Sequence, residues 1–443
     1  MLSIEKERQI GGEMMRQIRA SQPVLNDPVL TEYINDLGNR MVRNAKDVNY
    51  SFEFFVIRNE ELNAFAFFGG HIAIHSGLIT TANTESELAS VVAHEISHVT
   101  QRHLARRLES QNKAQPLTMA AMVSSVLLTL INPSVGLAAL STTMAASQQA
   151  GINYTRGNEQ EADRVGIMLL ANSGFNPQGA PDFFAIMAEK YRYKSKPPAM
   201  LLTHPLPESR IADARIRAQN FSPRPLAPNL QFELAKARIM ARYEGNAKDN
   251  IINFQQSLDK KRYGIEAAAQ YGLALSHYEN KDFQTAITQL EALLRDDNKN
   301  LFYVDALTDA YIAVKAFDKA ITMLAELNLL MPNNQVVTLN YANVLNEAEQ
   351  YSKAETLLQN FLVISPKNFI AQDLLTQVYR KQDKMALMHA TKAEVYALLG
   401  AYPKAVDELQ TAYNFVEDNP LLKKRMKGRI LQLQEQQEKL KRL

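Results

Sequence analysis

The 443-residue chain contains no cysteine and no tryptophan. Without cysteine there are no disulfides, thiolate metal sites or thiol nucleophiles, so any bound metal must be held by His, Asp or Glu. The compartment stays open, because a cysteine-free chain survives equally in the cytosol and the periplasm. A surplus of one charge is also lacking: 49 Lys and Arg against 47 Asp and Glu leave +2. Such a balance supplies no basic field to recommend nucleic acid as a partner. Nor is there a long apolar run. The longest uncharged stretch is Ala114 to Thr155, and its apolar part, Met119 to Ile131, is shorter than the ~20 residues of a membrane span. The N-terminal MLSIEKERQIGGEMM has neither the apolar centre nor the small-residue cleavage site of a secretory signal.

What is present reads as globular. Apolar residues make up 46% and charged residues 22%, and the length suits two or three domains. The uncharged 114–155 region, broken by Asn132, Pro133, Ser134 and Gly136, reads as a buried or interfacial helical hairpin, with peripheral membrane contact as the alternative. Residues 222–230, SPRPLAPNL, hold three prolines and one charge and read as a stiff linker. That segment divides the chain into 1–221, where strand-like runs mix with helices, and 231–443, where the pattern is helical throughout.

The second part repeats. An aromatic followed three residues later by Ala occurs at Phe283/Ala286, Phe317/Ala320, Tyr351/Ala354 and Tyr402/Ala405. The first three pairs are evenly spaced, and the fourth follows after one and a half of the same interval. Pro332 and Pro366 are separated by that interval too. A unit of about 34 residues, with a small residue at a helix crossing and a proline after the second helix, has the form of tetratricopeptide repeats. The consensus Trp is missing, and Ala274, Thr308, Ala342 and Ala393 stand where its Gly is expected. The half-period excess predicts one extra helix, over 371–383. Solenoids of this kind expose concave surfaces suited to binding proteins.

Residues 94–98 read His-Glu-Ile-Ser-His, with Thr84 and Glu87 as a capping box and apolar Leu88, Val91, Val92 and Val99 on one face. On a helix His94 and His98 stack one turn apart, and both imidazoles reach one cation. Glu95 projects to the side, within reach of a water at that cation. The third His of the metzincin pattern is replaced by Leu104, so a distant carboxylate is the expected third ligand. RGNEQEADRVG offers Glu159 and Asp163, four residues apart on one helical face, of which one can bind metal while the other accepts the N–H of a ligand His. Glu159 is preferred over Glu161, which would face away from Asp163. Upstream, 51–57, 63–68 and 71–78 are strand-like, with Gly69-Gly70 as a hairpin turn. A small antiparallel sheet beside the metal helix would leave an edge for an extended peptide. His71, His75, His103 and Arg156 are candidates for stabilising an oxyanion, with none singled out.

NAFAFFGGHIAIHSGLI, the VVAHEISHVTQRH helix, NEQEAD and THPLPESRI together resemble the M48 family of zinc metallopeptidases, and the repeats make the whole similar to its periplasmic subgroup. The resemblance implies an α+β, predominantly helical fold: a gluzincin-like peptidase domain followed by an all-α repeat solenoid. It further implies one zinc ion per chain on His94, His98 and Glu159, catalysis at Glu95, and zinc endopeptidase activity. The implied role is periplasmic quality control of outer-membrane β-barrel proteins, with misfolded or stalled barrels as substrates and the assembly machinery engaged through the repeats. A competing reading is an assembly adaptor or chaperone whose metal site is vestigial or largely latent. His204, in Leu-Leu-Thr-His-Pro-Leu-Pro, has two readings as well. Either it is a hydrogen-bonded or substrate-polarising residue of a stiff loop, or it is a fourth ligand that occupies the open position and keeps the enzyme latent.

Overall fold

A computed structural model describes residues 2–114, 156–192, 199–206, 208–222 and 226–441. The hairpin expected within 114–155 lies outside the described residues. Among those described, the chain forms two compact units: residues 1–25 with 33–244, and residues 26–32 with 245–443.

The first unit opens with helix α1 (Ile4–Ser21) and, from Tyr33 onward, helix α2 (Pro28–Val42), then strands β1 (Glu53–Ile57), β2 (Ala64–Phe67) and β3 (His71–His75). Gly69 and Gly70 turn β2 into β3 with φ of 81° and 84°, a left-handed conformation that a side chain would strain. The pair β2–β3 is antiparallel as expected, but β1 joins the far side of β3 in parallel, giving the order β1-β3-β2. The sheet is therefore mixed rather than antiparallel. The cause is the 58–63 connection, which does not turn back as a hairpin. Its Asn59 instead bonds Ser76 and Gly77 beyond β3, and Asn63 accepts from the His75 N–H. This route leaves β2 at the edge of the sheet.

Beyond β3 the chain becomes helical at once: α3 (Ser76–Thr81) and α4 (Glu85–Thr100) follow. Thr84 caps α4 by accepting from Glu87 N–H, and Glu87 reaches back to the Asn83 N–H. Residues 86–100 of α4 are all buried, so this helix runs through the middle of the unit. Its hydroxyls stay satisfied by bonding their own backbone: Ser90 to Glu87 O and Ser97 to Ala93 O, both at 2.7 Å. Helices α5 (His103–Ala114), α6 (Arg156–Asn172), α7 (Gly179–Tyr191), α8 (Ala199–Thr203), α9 (Glu208–Gln219) and α10 (Leu230–Tyr243) complete the unit. Gly166 sets the α4–α6 distance, because a Cβ there would lie 3.2 Å from the His94 backbone. The sequence reading assigns α10 to the second part. In the structure it packs with the first, where Lys236 Nζ donates to Ala82 O and Tyr243 O accepts from Arg58. The compact units consequently part at Glu244/Gly245 rather than within 222–230.

The second unit is an array of helical hairpins: α11 (Ala247–Asp259), α12 (Glu266–Glu279), α13 (Phe283–Asp296), α14 (Leu301–Ala313), α15 (Phe317–Leu330), α16 (Gln335–Glu347), α17 (Tyr351–Ile364), α18 (Phe369–Lys381), α19 (Met385–Leu398), α20 (Tyr402–Asn414) and α21 (Pro420–Lys441). The repeat alanines Ala286, Ala320, Ala354 and Ala405 are fully buried, as are Ala274, Thr308, Ala342 and Ala393. The tight turns carry left-handed residues at Lys281, Lys315, Glu349 and Asp383, each one repeat interval after the last. Asn300, Asn334 and Asn368 keep the same interval and cap the helices that follow, accepting from Phe302, Val337 and Ala371 N–H. The helix expected over 371–383 is α18. A further turn at Gly400, half an interval after Asp383, links α19 directly to α20, which is the origin of the half-period excess.

Three substitutions test this packing. Ala320→Leu should overpack a filled crossing and lower stability by about 1–3 kcal/mol in urea titration, whereas Leu329→Ala, at a side chain 82% exposed, should stay within about 0.5 kcal/mol. Gly166→Val should cost about 1–3 kcal/mol by forcing α6 from α4.

Candidate metal centre

Helix α4 supplies His94, Glu95 and His98, helix α6 supplies Glu159 and Asp163, and the segment after α8 supplies His204. All six are buried. One ligand atom each from His94, His98, Glu159 and His204 can be chosen so that all four lie within 4.8 Å of one another. The Nε2 atoms of His94 and His98 are 2.9 Å apart. Glu159 Oε2 is 3.5 Å from His94 Nε2, and its Oε1 is 3.5 Å from His98 Nε2 and 3.0 Å from His204 Nδ1. The i, i+4 spacing therefore brings the two imidazoles together as expected, and Glu159 rather than Glu161 faces them.

Asp163 meets the outer nitrogen of His94, with Nδ1 to Oδ1 at 3.0 Å. A residue that sequence reasoning missed holds Asp163 in turn. Arg210 donates from Nε and Nη2 to its two oxygens at 2.7 and 2.8 Å, and from Nη1 to Pro205 O at 2.6 Å. The same Nη1 lies 2.8 Å from Glu159 Oε2. Arg210 lies within the THPLPESRI segment that carries the family resemblance, six residues after His204, and that placement was its one available signal.

Glu95 is split between two jobs. Its Oε2 accepts from the Ala66 N–H of edge strand β2 at 3.0 Å, while Oε1 is buried without a hydrogen-bond partner and lies 3.5 Å from His204 Nε2. Burial pushes the Glu95 carboxyl above its ordinary range, against the pull of His204 and His94. For Asp163 burial acts the same way, but hydrogen bonds from His94 and Arg210 prevail and hold it below. Burial alone would lower His94, yet Asp163 and Glu159 outweigh it and hold the imidazole up at about 10. The carboxylates thus favour positive charge on His94, while burial and His94 itself push His98 down. Fully ionised, Glu95, Glu159 and Asp163 carry three negative charges against one on Arg210, and a dication balances the remaining two. The donor set of imidazole and carboxylate suits zinc, and the buried, unpartnered Glu95 Oε1 stands beside it.

The oxyanion candidates lie elsewhere. His71 pairs with Glu53 at 3.1 Å, His75 is depressed to about 4 by burial, His103 touches His98 on the side away from the cluster, and Arg156 is exposed at the start of α6.

Comparison with known proteins agrees with this geometry. The model of peptidase family M48 matches residues 28–218. The chain is 46% identical to the putative beta-barrel assembly-enhancing protease of Vibrio cholerae, over 99% of this chain and 91% of that protein. It is 41% identical to the beta-barrel assembly-enhancing protease of Yersinia pestis, over 100% and 91%. The same identity holds for that of Escherichia coli K12, over 99% and 90%. A metal-binding cluster on an HExxH helix, within a relationship that spans nearly the whole chain, leaves one assignment: the chain belongs to peptidase family M48 and is a metallopeptidase joined to helical repeats.

Proposed function

We propose that the protein is a zinc endopeptidase of the Gram-negative periplasm that acts on outer-membrane β-barrel proteins, with its helical repeats engaging the client or the assembly machinery. The observation that carries the chemistry is the convergence of four buried donors beside the free oxygen of Glu95. The names and Gram-negative sources of the full-length relatives support the client class and the compartment. Among the described residues no helix is long and apolar enough to cross a membrane.

His94, His98 and Glu159 would hold the zinc, with Asp163 orienting His94 through its Nδ1–H. Zinc held there supplies Lewis acidity, which polarises a peptide carbonyl and acidifies water at neutral pH. Glu95 acts through Oε1 because Oε2 is tied to the Ala66 N–H. Its raised affinity for protons suits a base that takes one from water and passes it to the leaving amine. Edge strand β2 lies next to that carboxylate, so an extended peptide that paired with this edge would bring its backbone past Oε1. Edge pairing favours segments with strand propensity, which unassembled barrel strands have.

His204 serves this reading as a fourth ligand that keeps the resting enzyme latent. Its place in the donor cluster, 3.0 Å from Glu159, supports that role. The loop that carries it is held by Arg210 through Pro205 O, so a client or partner that moved the loop would lift the restraint.

Metal analysis should find one zinc per chain, sharply reduced in His94→Ala, His98→Ala and Glu159→Ala, and stoichiometric in Glu161→Ala. Zinc lost from Glu161→Ala and kept in Glu159→Ala would reverse the ligand assignment. Glu95→Gln should keep zinc and lose cleavage of an unfolded barrel protein by about 10²–10⁴-fold; unchanged cleavage would remove Glu95 from the mechanism. His204→Ala should raise basal proteolysis with zinc retained, and abolished cleavage would instead assign His204 to the transition state.

A further inference from the structure

His98 shows its two nitrogens to different partners. Nε2 faces the cluster, while Nδ1 lies 2.7 Å from Nδ1 of His103, a ring with no solvent exposure. On the far side of that ring, His103 Nε2 lies 3.1 Å from Glu161 Oε2, and the same oxygen accepts from Arg106 Nη2 at 2.8 Å. Two imidazoles and a carboxylate thus run outward from the metal helix to a half-buried ion pair.

The direction of each hydrogen bond follows from what the groups can do. A carboxylate beside a guanidinium only accepts, so His103 Nε2 must carry the hydrogen it shares with Glu161. A neutral imidazole has one N–H, which leaves His103 Nδ1 as an acceptor. His98 Nδ1 is then the donor between the two rings, and His98 Nε2 is left bare on the side that faces Glu159, His94 and His204. Reasoning from the other end gives the same answer, because an Nε2 that ligates metal leaves the only hydrogen of its ring on Nδ1. An imidazolium at 103 would reverse the first contact and put a hydrogen on His98 Nε2, aimed into the cluster.

We propose that His103 and Glu161 are positioning residues that hold His98 in its Nδ1–H tautomer and fix its ring plane for metal. The two ligand histidines would then be oriented by different means. Asp163 acts on His94 directly, and Glu161 acts on His98 through an intervening imidazole. A carboxylate at the outer end of such a relay makes the ligand nitrogen more basic while keeping its own charge away from the cluster. The proposal rests on reading the cluster as a zinc site.

The experiment uses the full chain, with histidine ¹⁵N-labelled and zinc removed by chelator. Long-range ¹H–¹⁵N correlation should show His98 protonated at Nδ1. Glu161→Ala, at a partly exposed position, should mix the two tautomers, and Glu161→Gln, whose amide oxygen still accepts, should restore the preference. In competition with a chelator, His103→Leu should weaken zinc binding by about 10–100-fold. His103→Asn, whose side-chain oxygen can accept from His98, should recover most of that loss. Glu161→Ala should weaken binding less, leaving the site full at stoichiometric zinc. A purely structural role for His103 would give neither the tautomer change nor the recovery by Asn. His98 found protonated at Nε2 in the wild type, or a tautomer and zinc affinity unmoved by Glu161→Ala, would overturn the proposal. Should His103→Leu fail to fold, Glu161→Ala decides alone. Wild-type protein that binds no zinc would refute the metal reading itself, an outcome separable from the tautomer result.

Discussion

Asp163 is shared. One of its oxygens takes the outer nitrogen of His94, and both meet the guanidinium of Arg210, so a single buried carboxylate joins helix α4, helix α6 and, through Arg210 of α9 and its bond to Pro205 O, the loop that carries His204. Each of these supplies a cluster residue, and none of the three is near another in sequence except through this group. The energetic character of the contact is that of a buried ion pair. Removing one partner strands the other in low dielectric, at a cost of about 3–5 kcal/mol. The pair is therefore weak as a source of stability and strong as a constraint on geometry. Arg210 also grips Pro205 O, so the position of His204 depends on the orientation of a side chain whose partner, Asp163, lies on a different helix far back in the chain.

The surroundings explain why the cluster can stay poised. Helix α4 is buried from Ser86 to Thr100, and Ser90 and Ser97 bond inward to its own backbone, which leaves few polar groups to compete for the site. Gly166 lets α6 lie against the His94 backbone where an added Cβ would be crowded at 3.2 Å. The one carboxyl oxygen of Glu95 without a partner, Oε1, is thereby kept in a desolvated place with its sister oxygen anchored to Ala66. Preorganisation here means that this oxygen is held away from water by packing and its carboxylate is kept from rotating by one backbone N–H.

What could be read from the residues was local or periodic. The HEISH spacing, the Glu159/Asp163 pair, the Gly69-Gly70 turn and the evenly spaced repeat alanines each declare themselves by position alone, because i, i+4 geometry and tight turns are short-range rules. The parallel pairing of β1 was not legible, since it depends on where the 58–63 connection is anchored beyond β3. The membership of α10 was hidden for a similar reason: the prolines at 223, 225 and 228 mark a stiff stretch, and stiffness does not say on which side the core ends. Arg210 and the His103–Glu161 contact are tertiary, made by common residue types with no spacing to betray them. The asparagine caps at 300, 334 and 368 carry the same interval as the prolines at 332 and 366, in a residue type too common to stand out.

Those caps and the left-handed turn residues have a consequence for how such a domain changes length. In each of these intervals the asparagine opens a helix and the left-handed residue closes it, so the code for both boundaries sits inside the interval. Deleting or duplicating one whole interval would leave every cap opposite its helix and every turn between its pair, a change invisible to the local chain. The Gly400 turn shows that the ruler has a finer mark. There the same kind of turn recurs after half the interval, so that α19 closes one hairpin and opens the next. The increment by which the array grows is one helix and its turn, and growth by an odd number exchanges the roles of all helices that follow.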